Sequence, residues 1–392
     1  MPYLLLGLSV LLIVNILATR HVSRYADDYG GRKILMTITI WLFPGIGAFS
    51  AYVHVRPPMK ESVPAMVPPD ASEAVSIPET IAGLRGNDFP VMAHMFAANG
   101  VPMMDWQALA DWANECFDTG AAKAAIEQGR RIWLMHLREA QGAHVHLHET
   151  PGAFVLSSLE PVVARTFADY IGSTRQRILM VLKGMAELPE GEKSILLVLD
   201  SEEDYYHYVA NFYPEEGEFA FSGGMFIDAG CPHFVCVRAD SGAMEAVIAH
   251  EMTHLAMSLL RLPRWLDEGI AVNTERRIAG ARGLLYTPRE LHAKHLAFWN
   301  GELIQQFWSG QAFQRTDDGN LLSYELARIM VEQFGKQWDA FVGFVLEAER
   351  EDGGLAAAQK AFGVDLGEVA SVLLEGMGDE SWTPNPAGWV AV

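Results

Sequence analysis

The chain of 392 residues predicts an α+β protein with two membrane-spanning helices ahead of a large domain. Three observations predict it. Two long uncharged segments open the chain. Strand-like runs alternating in character precede helix-like runs in the second half. A helical stretch with two histidines four apart, VIAHEMTHLAM, is followed by a proline break and a returning helix, WLDEGIAVNTERR.

Residues 2–19, PYLLLGLSVLLIVNILAT, and 34–53, ILMTITIWLFPGIGAFSAYV, carry no charge. Each is about long enough to cross a hydrocarbon core of roughly 30 Å. The first lacks the basic start of a signal peptide, and the second follows at once. The loop between them holds Arg20, Arg24, Arg32 and Lys33, against Arg56 and Lys60 beyond. The positive-inside rule puts that loop in the cytoplasm and the large domain outside. The expectation is a bacterial inner-membrane protein with a periplasmic or extracellular domain and the membrane as one partner.

Of 29 basic and 49 acidic residues, residues 1–60 hold six and two, leaving a net of about −24 on the rest. Nucleic acid is excluded as a partner, because phosphate binding needs basic patches. Cys116, Cys231 and Cys236 are too few for a disulfide framework. Cys231 and Cys236 either pair outside the cytoplasm or stay reduced and buried.

Five segments are expected: an anchor over 1–55, a Pro-rich linker over 56–85, a helical subdomain over 86–142, the main domain over 143–350, and a C-terminal helix and tail over 351–392. From about residue 88 to 141, apolar residues recur three and four apart, punctuated by Gly100 and Gly120. AHVHLHETPGAFVLSS then alternates like a strand, and a helix follows over about 160–187. SILLVLD reads as a buried strand. SEEDYYHYVANF starts a helix with Ser201 as N-cap. FSGGMFID and HFVCVRA form a hairpin around Gly230 and Pro232.

Asp240 or Ser241 caps the next helix, which runs to about Leu260. There His250 and His254 lie one turn apart on one face, with Glu251 beside them. Such a helix can offer two imidazoles to one metal and a carboxylate to a water. Zinc suits nitrogen and oxygen donors and needs no redox chemistry. Pro263 breaks the helix, and the returning one offers Glu268 as third ligand. Asp267 competes with it. Successive helix positions point about 100° apart, so only one of the two faces the metal, and Glu268 is preferred. Met257 and Leu260 stand where a metzincin has glycine and histidine, which excludes that class.

HEMTH followed by PRWLDEGIA resembles the gluzincin metallopeptidases, closest to the bacterial peptidase MA-like branch with its W-L-x-E-G-x-A motif. The similarity runs from about His144 to Gly335. It implies a zincin-like, thermolysin-like domain, one zinc ion held by His250, His254 and Glu268, Glu251 as general base, and a peptide or protein substrate. Some gluzincins place an acid four residues after the third ligand to orient a histidine. Here Val272 stands there, and Asn273 or Glu275 are the candidate substitutes. In many relatives a downstream Tyr or His stabilises the oxyanion. By that resemblance Tyr324 takes the role, and otherwise it is an aromatic on a helix's core face. WLFPGIGAFSAYV is similar to the N-terminal hairpin of cardiolipin-synthase-like proteins, a similarity confined to the anchor.

The function expected is a membrane-anchored zinc metallopeptidase. Two alternatives stand beside it: a zinc-binding envelope scaffold without turnover, and a zinc amidase acting on a non-peptide or cell-wall amide. His144, His146 and His148 share one side of a strand and read as a solvated face. His292 and His295 read as surface residues. There is no phosphate loop, no G-x-S-x-G elbow and no Cys/His nucleophile pattern.

Overall fold

In a computed structural model the described residues are 76–189, 191–212, 223–280, 286–376 and 378–389. Residues 76–392 form one compact unit. Two small hairpins come first: β1 (Thr80–Ile81) with β2 (Phe89–Pro90), and β3 (Met95–Ala98) with β4 (Val101–Met104). Helices α1 (Trp106–Cys116) and α2 (Thr119–Gln141) follow. The helical expectation from residue 88 is therefore corrected over its first part. Asn99 and Gly100 both take positive φ, 48° and 80°. That is the two-residue reversal that Asn-Gly favours between paired strands.

The centre is a five-stranded sheet in the order β5-β6-β7-β9-β8. It comprises β5 (His146–Glu149), β6 (Ala153–Ser157), β7 (Ser194–Leu199), β8 (Gly224–Ile227) and β9 (His233–Val237). The inner three strands are parallel, with Val155 opposite Leu196 and Leu197 opposite Val235. β5 and β8 are antiparallel edges. Helix α3 (Pro161–Val181) joins β6 to β7, and α4 (Glu202–Val209) follows β7. The expected α+β class is thus corrected to a mixed α/β architecture. A parallel pair needs a crossover, and here α3 supplies one.

The strand residues alternate strictly between two cores. Val155, Leu196, Val198, Phe234 and Cys236 face one. Phe154, Leu156, Ile195, Leu197 and Val235 face the other, which α1, α2 and α4 cover. With helices on both faces, both sets of strand residues are apolar, and the strands read as continuous hydrophobic runs.

The first core also takes in α3, α5 (Ser241–Met257), α6 (Arg264–Ala279), α7 (Pro288–Phe298), α8 (Gly301–Ser309), α9 (Asp318–Phe334), α10 (Trp338–Glu347), α11 (Leu355–Phe362) and α12 (Leu366–Leu373). Trp265 anchors this assembly. It is fully buried, lies 5.7 Å edge-on to Trp308, and donates its indole N–H to the Gly353 carbonyl at 2.9 Å. Trp308 in turn donates to the Trp382 carbonyl at 2.8 Å. Each indole buries a large apolar body while its one polar atom is satisfied.

Among the described residues no helix is long and apolar enough to cross a membrane. The long helices α2 and α3 carry charges along their length, such as Lys123, Arg131 and Glu139 on α2 and Arg165, Asp169 and Arg177 on α3. The two expected membrane helices, over 2–19 and 34–53, lie outside the described residues. The expected transmembrane anchor, inner-membrane location and periplasmic placement are corrected accordingly and play no further part.

One alternative left open is decided, and one further expectation is corrected. Cys231 and Cys236 are free thiols that pack into cores on opposite faces of the sheet. Burial pushes both up to about 12. His295 is buried rather than on the surface. It accepts the Trp299 indole N–H at 2.9 Å, and burial lowers its pKa to about 4.

Helix α6 meets α9 at Gly269. A Cβ there would lie 2.6 Å from the Ala327 carbonyl oxygen and 2.7 Å from a Val331 methyl. Gly269→Ala is expected to destabilise the chain by about 1–3 kcal/mol through overpacking. This exceeds the ~1 kcal/mol that alanine gains over glycine in a helix, because a backbone carbonyl cannot rotate aside. Urea denaturation measures it, and unchanged stability would show that the two helices separate freely.

Candidate metal centre

Asp240 starts α5 by accepting the Ala243 N–H at 3.0 Å, a cap worth about 1 kcal/mol. Met244, Ile248, Met252 and Ala256, each four residues apart, bury one face of the helix in the first core. The adjacent face presents His250 and His254, whose rings lie 4.9 Å apart. The helix stops in a 3-10 turn over Ser258–Leu260. Arg261 then takes a left-handed conformation at φ 47°. Pro263 cannot continue a helix from the residue before it, and α6 starts there and packs back against α5.

This return brings Glu268 to the histidines. Its Oε2 lies 3.2 Å from His250 Nε2 and 3.5 Å from His254 Nε2. Among the described residues, His250, His254 and Glu268 form the one group whose potential ligand atoms all approach within 4.8 Å of one another. The Glu268 side chain is only 3% exposed. A buried carboxylate needs charged partners, and it has the two histidines and Arg264 Nη2, 2.9 Å from Oε1. Burial works against its ionisation, but Arg264 and then His254 outweigh it and hold its pKa well below the ordinary range.

The outer nitrogens of the imidazoles are held as well. His250 Nδ1 donates to Glu275 Oε2 at 3.2 Å, and His254 Nδ1 donates to Asp267 Oδ2 at 3.0 Å. Both inner Nε2 atoms are thereby turned towards the shared point. Burial opposes charge on His250, yet Glu268 and Glu275 outweigh it and raise its pKa to about 9. His254 is raised well above its ordinary value against the same burial, by Asp267 and Glu268. Two imidazole nitrogens and one carboxylate oxygen, from side chains that each have an outside partner, could hold a metal ion.

Comparison of the chain with protein-family models, curated proteins and solved structures finds no match. The centre therefore rests on its own geometry and chemistry.

Glu251 lies beside the histidines, and its Oε2 accepts the Phe226 backbone N–H at 2.7 Å. Phe226 belongs to β8, the edge strand, so the sheet edge fixes one oxygen of this carboxylate. Tyr324, on α9, stands edge-on to Phe313 at 5.2 Å. Burial, with Glu268 adding to it, pushes its pKa up, so the phenol keeps its proton.

The residues that sequence reasoning weighed separate cleanly in space. Asp267, weighed as a competing ligand, lies on the outer nitrogen of His254. Glu275 lies on His250, while Asn273 donates instead to the Gly269 and Arg328 carbonyls, at 2.7 and 2.9 Å. Arg264 and Phe226 were missed. Arg264 precedes Glu268 by four residues, an ion-pair spacing that the sequence displays. The backbone of Phe226 leaves no sequence signal. His146 and His148 face each other on β5 with rings 6.3 Å apart, and they belong to no metal-sized group among the described residues.

Proposed function

We propose that the chain is a zinc-dependent metallopeptidase, with His250, His254 and Glu268 holding one zinc ion and Glu251 as general base. The observation that carries this reading is the convergence of three donor atoms within 4.8 Å of one another beside a carboxylate with one oxygen still uncommitted to the sheet edge. Zinc supplies Lewis acidity to a carbonyl and to a water molecule. Glu251 takes the proton from the attacking water and returns it to the amide nitrogen as the C–N bond breaks. Phe226 holds the carboxylate so that its free oxygen points to one place. Tyr324 keeps a hydroxyl proton available to an oxygen that gains negative charge.

Incubation of the chain with a peptide library, with and without zinc, tests the proposal. Zinc-dependent cleavage supports it. Zinc binding without cleavage of any peptide overturns it in favour of a scaffold, and release from a non-peptide amide alone overturns it in favour of an amidase. Tyr324→Phe is expected to lower turnover about 10²–10³-fold, the usual loss for one donor to a developing oxyanion, with zinc content unchanged. Unchanged kcat would remove Tyr324 from the mechanism.

A further inference from the structure

We propose that Arg264 is a positioning residue that restricts Glu268 to a single liganding oxygen. The inference rests on the metal-site reading above and extends it to a residue outside the donor set.

The two oxygens of Glu268 are divided between partners. Oε2 faces both histidines at 3.2 and 3.5 Å, and Oε1 faces Arg264 Nη2 at 2.9 Å. The carboxylate is enclosed, so water does not compete for Oε1. The Arg264 side chain is half exposed. Arginine's planar fork holds an acceptor oxygen in a fixed direction, which a lysine ammonium does with less geometric control. Each donor in the centre then has one dedicated outside partner: Glu275 for His250, Asp267 for His254, and Arg264 for Glu268. The third of these is cationic. The other two are anions and, with Glu251 and Glu268, give the centre four carboxylates. Arg264 offsets one of those charges.

Removing the guanidinium frees Oε1, and Glu268 can then turn both oxygens inward. It also removes a positive charge that repels an incoming cation. Loss of orientation lowers metal affinity and loss of repulsion raises it, so affinity is a poor measure of this role. The arrangement of donors around the ion is a direct one.

The full chain is loaded with Co²⁺ as a spectroscopic probe, and the visible absorption of the wild type, Arg264→Ala and Arg264→Lys is recorded. Strong bands are expected for the wild type, which has few donors. Arg264→Ala is expected to lose most of that intensity as a donor oxygen is added, and Arg264→Lys to recover most of it by holding Oε1. A simple helix ion pair would lower thermal stability and leave the spectrum alone. An Arg264→Ala spectrum identical to that of the wild type overturns the inference while leaving the metal site standing. Failure of the wild type to bind Co²⁺ overturns both.

Discussion

On the proposed function, Glu251→Gln is expected to lose most of the peptide hydrolysis while the chain keeps its zinc content. The substitution leaves size and shape almost unchanged, and the glutamine carbonyl can still accept the Phe226 N–H that Glu251 accepts at 2.7 Å. What it removes is the ability to take a proton from water and give it to the leaving nitrogen. Positioned proton transfer contributes typically about 10²–10⁴-fold, and a loss in that range is expected in kcat. Zinc content by elemental analysis and cleavage of a peptide chosen from the library measure the two halves. A variant with wild-type kcat would sink the general-base assignment. A variant without zinc would mean that Glu251 belongs to the donor set.

His254→Ala removes one donor of three and leaves Asp267 without the imidazole it holds at 3.0 Å. Zinc content after dialysis against a weak chelator is expected to fall from one ion per chain to near zero, and activity with it. The outside partners should give a graded series. Losing such a partner usually costs about 10–100-fold in metal affinity, so Asp267→Asn and Glu275→Gln are expected in that range, with His254→Ala well beyond it. Equal losses in all three would contradict the division into ligands and orienting groups. A larger loss for Asp267→Asn than for Glu268→Gln would exchange the roles of those two neighbours.

Several helix boundaries and part of the centre were legible in the letters. The i, i+4 pair His250 and His254 follows from helical geometry alone. Pro263 marks the break after α5. Ser201 and Asp240 announce helix starts by accepting backbone N–H groups that have no partner within the helix. The sheet was harder to read. SILLVLD carries no sign of which strand pairs with it or in which direction, since parallel and antiparallel neighbours use the same backbone groups. Residues 95–104 combine helical spacing with an Asn-Gly reversal, and the reversal prevailed because only those two residues settle easily at positive φ.

The sequence by itself determined the chemistry available: two imidazoles one turn apart, a carboxylate beside them, and two acids on a returning helix. Helical periodicity acts over four residues, so it reads directly from one strip of chain. Only the tertiary structure decided which acid does what. Asp267 and Glu268 are neighbours about 100° apart on one helix, and the rotation of α6 is set by distant partners. Trp265 locks into the aromatic core with Trp308, and Gly269 seats the helix against the Ala327 carbonyl. With that rotation fixed, Glu268 turns inward to both histidines, Asp267 reaches the outer nitrogen of His254, and Glu275, two turns on, reaches His250.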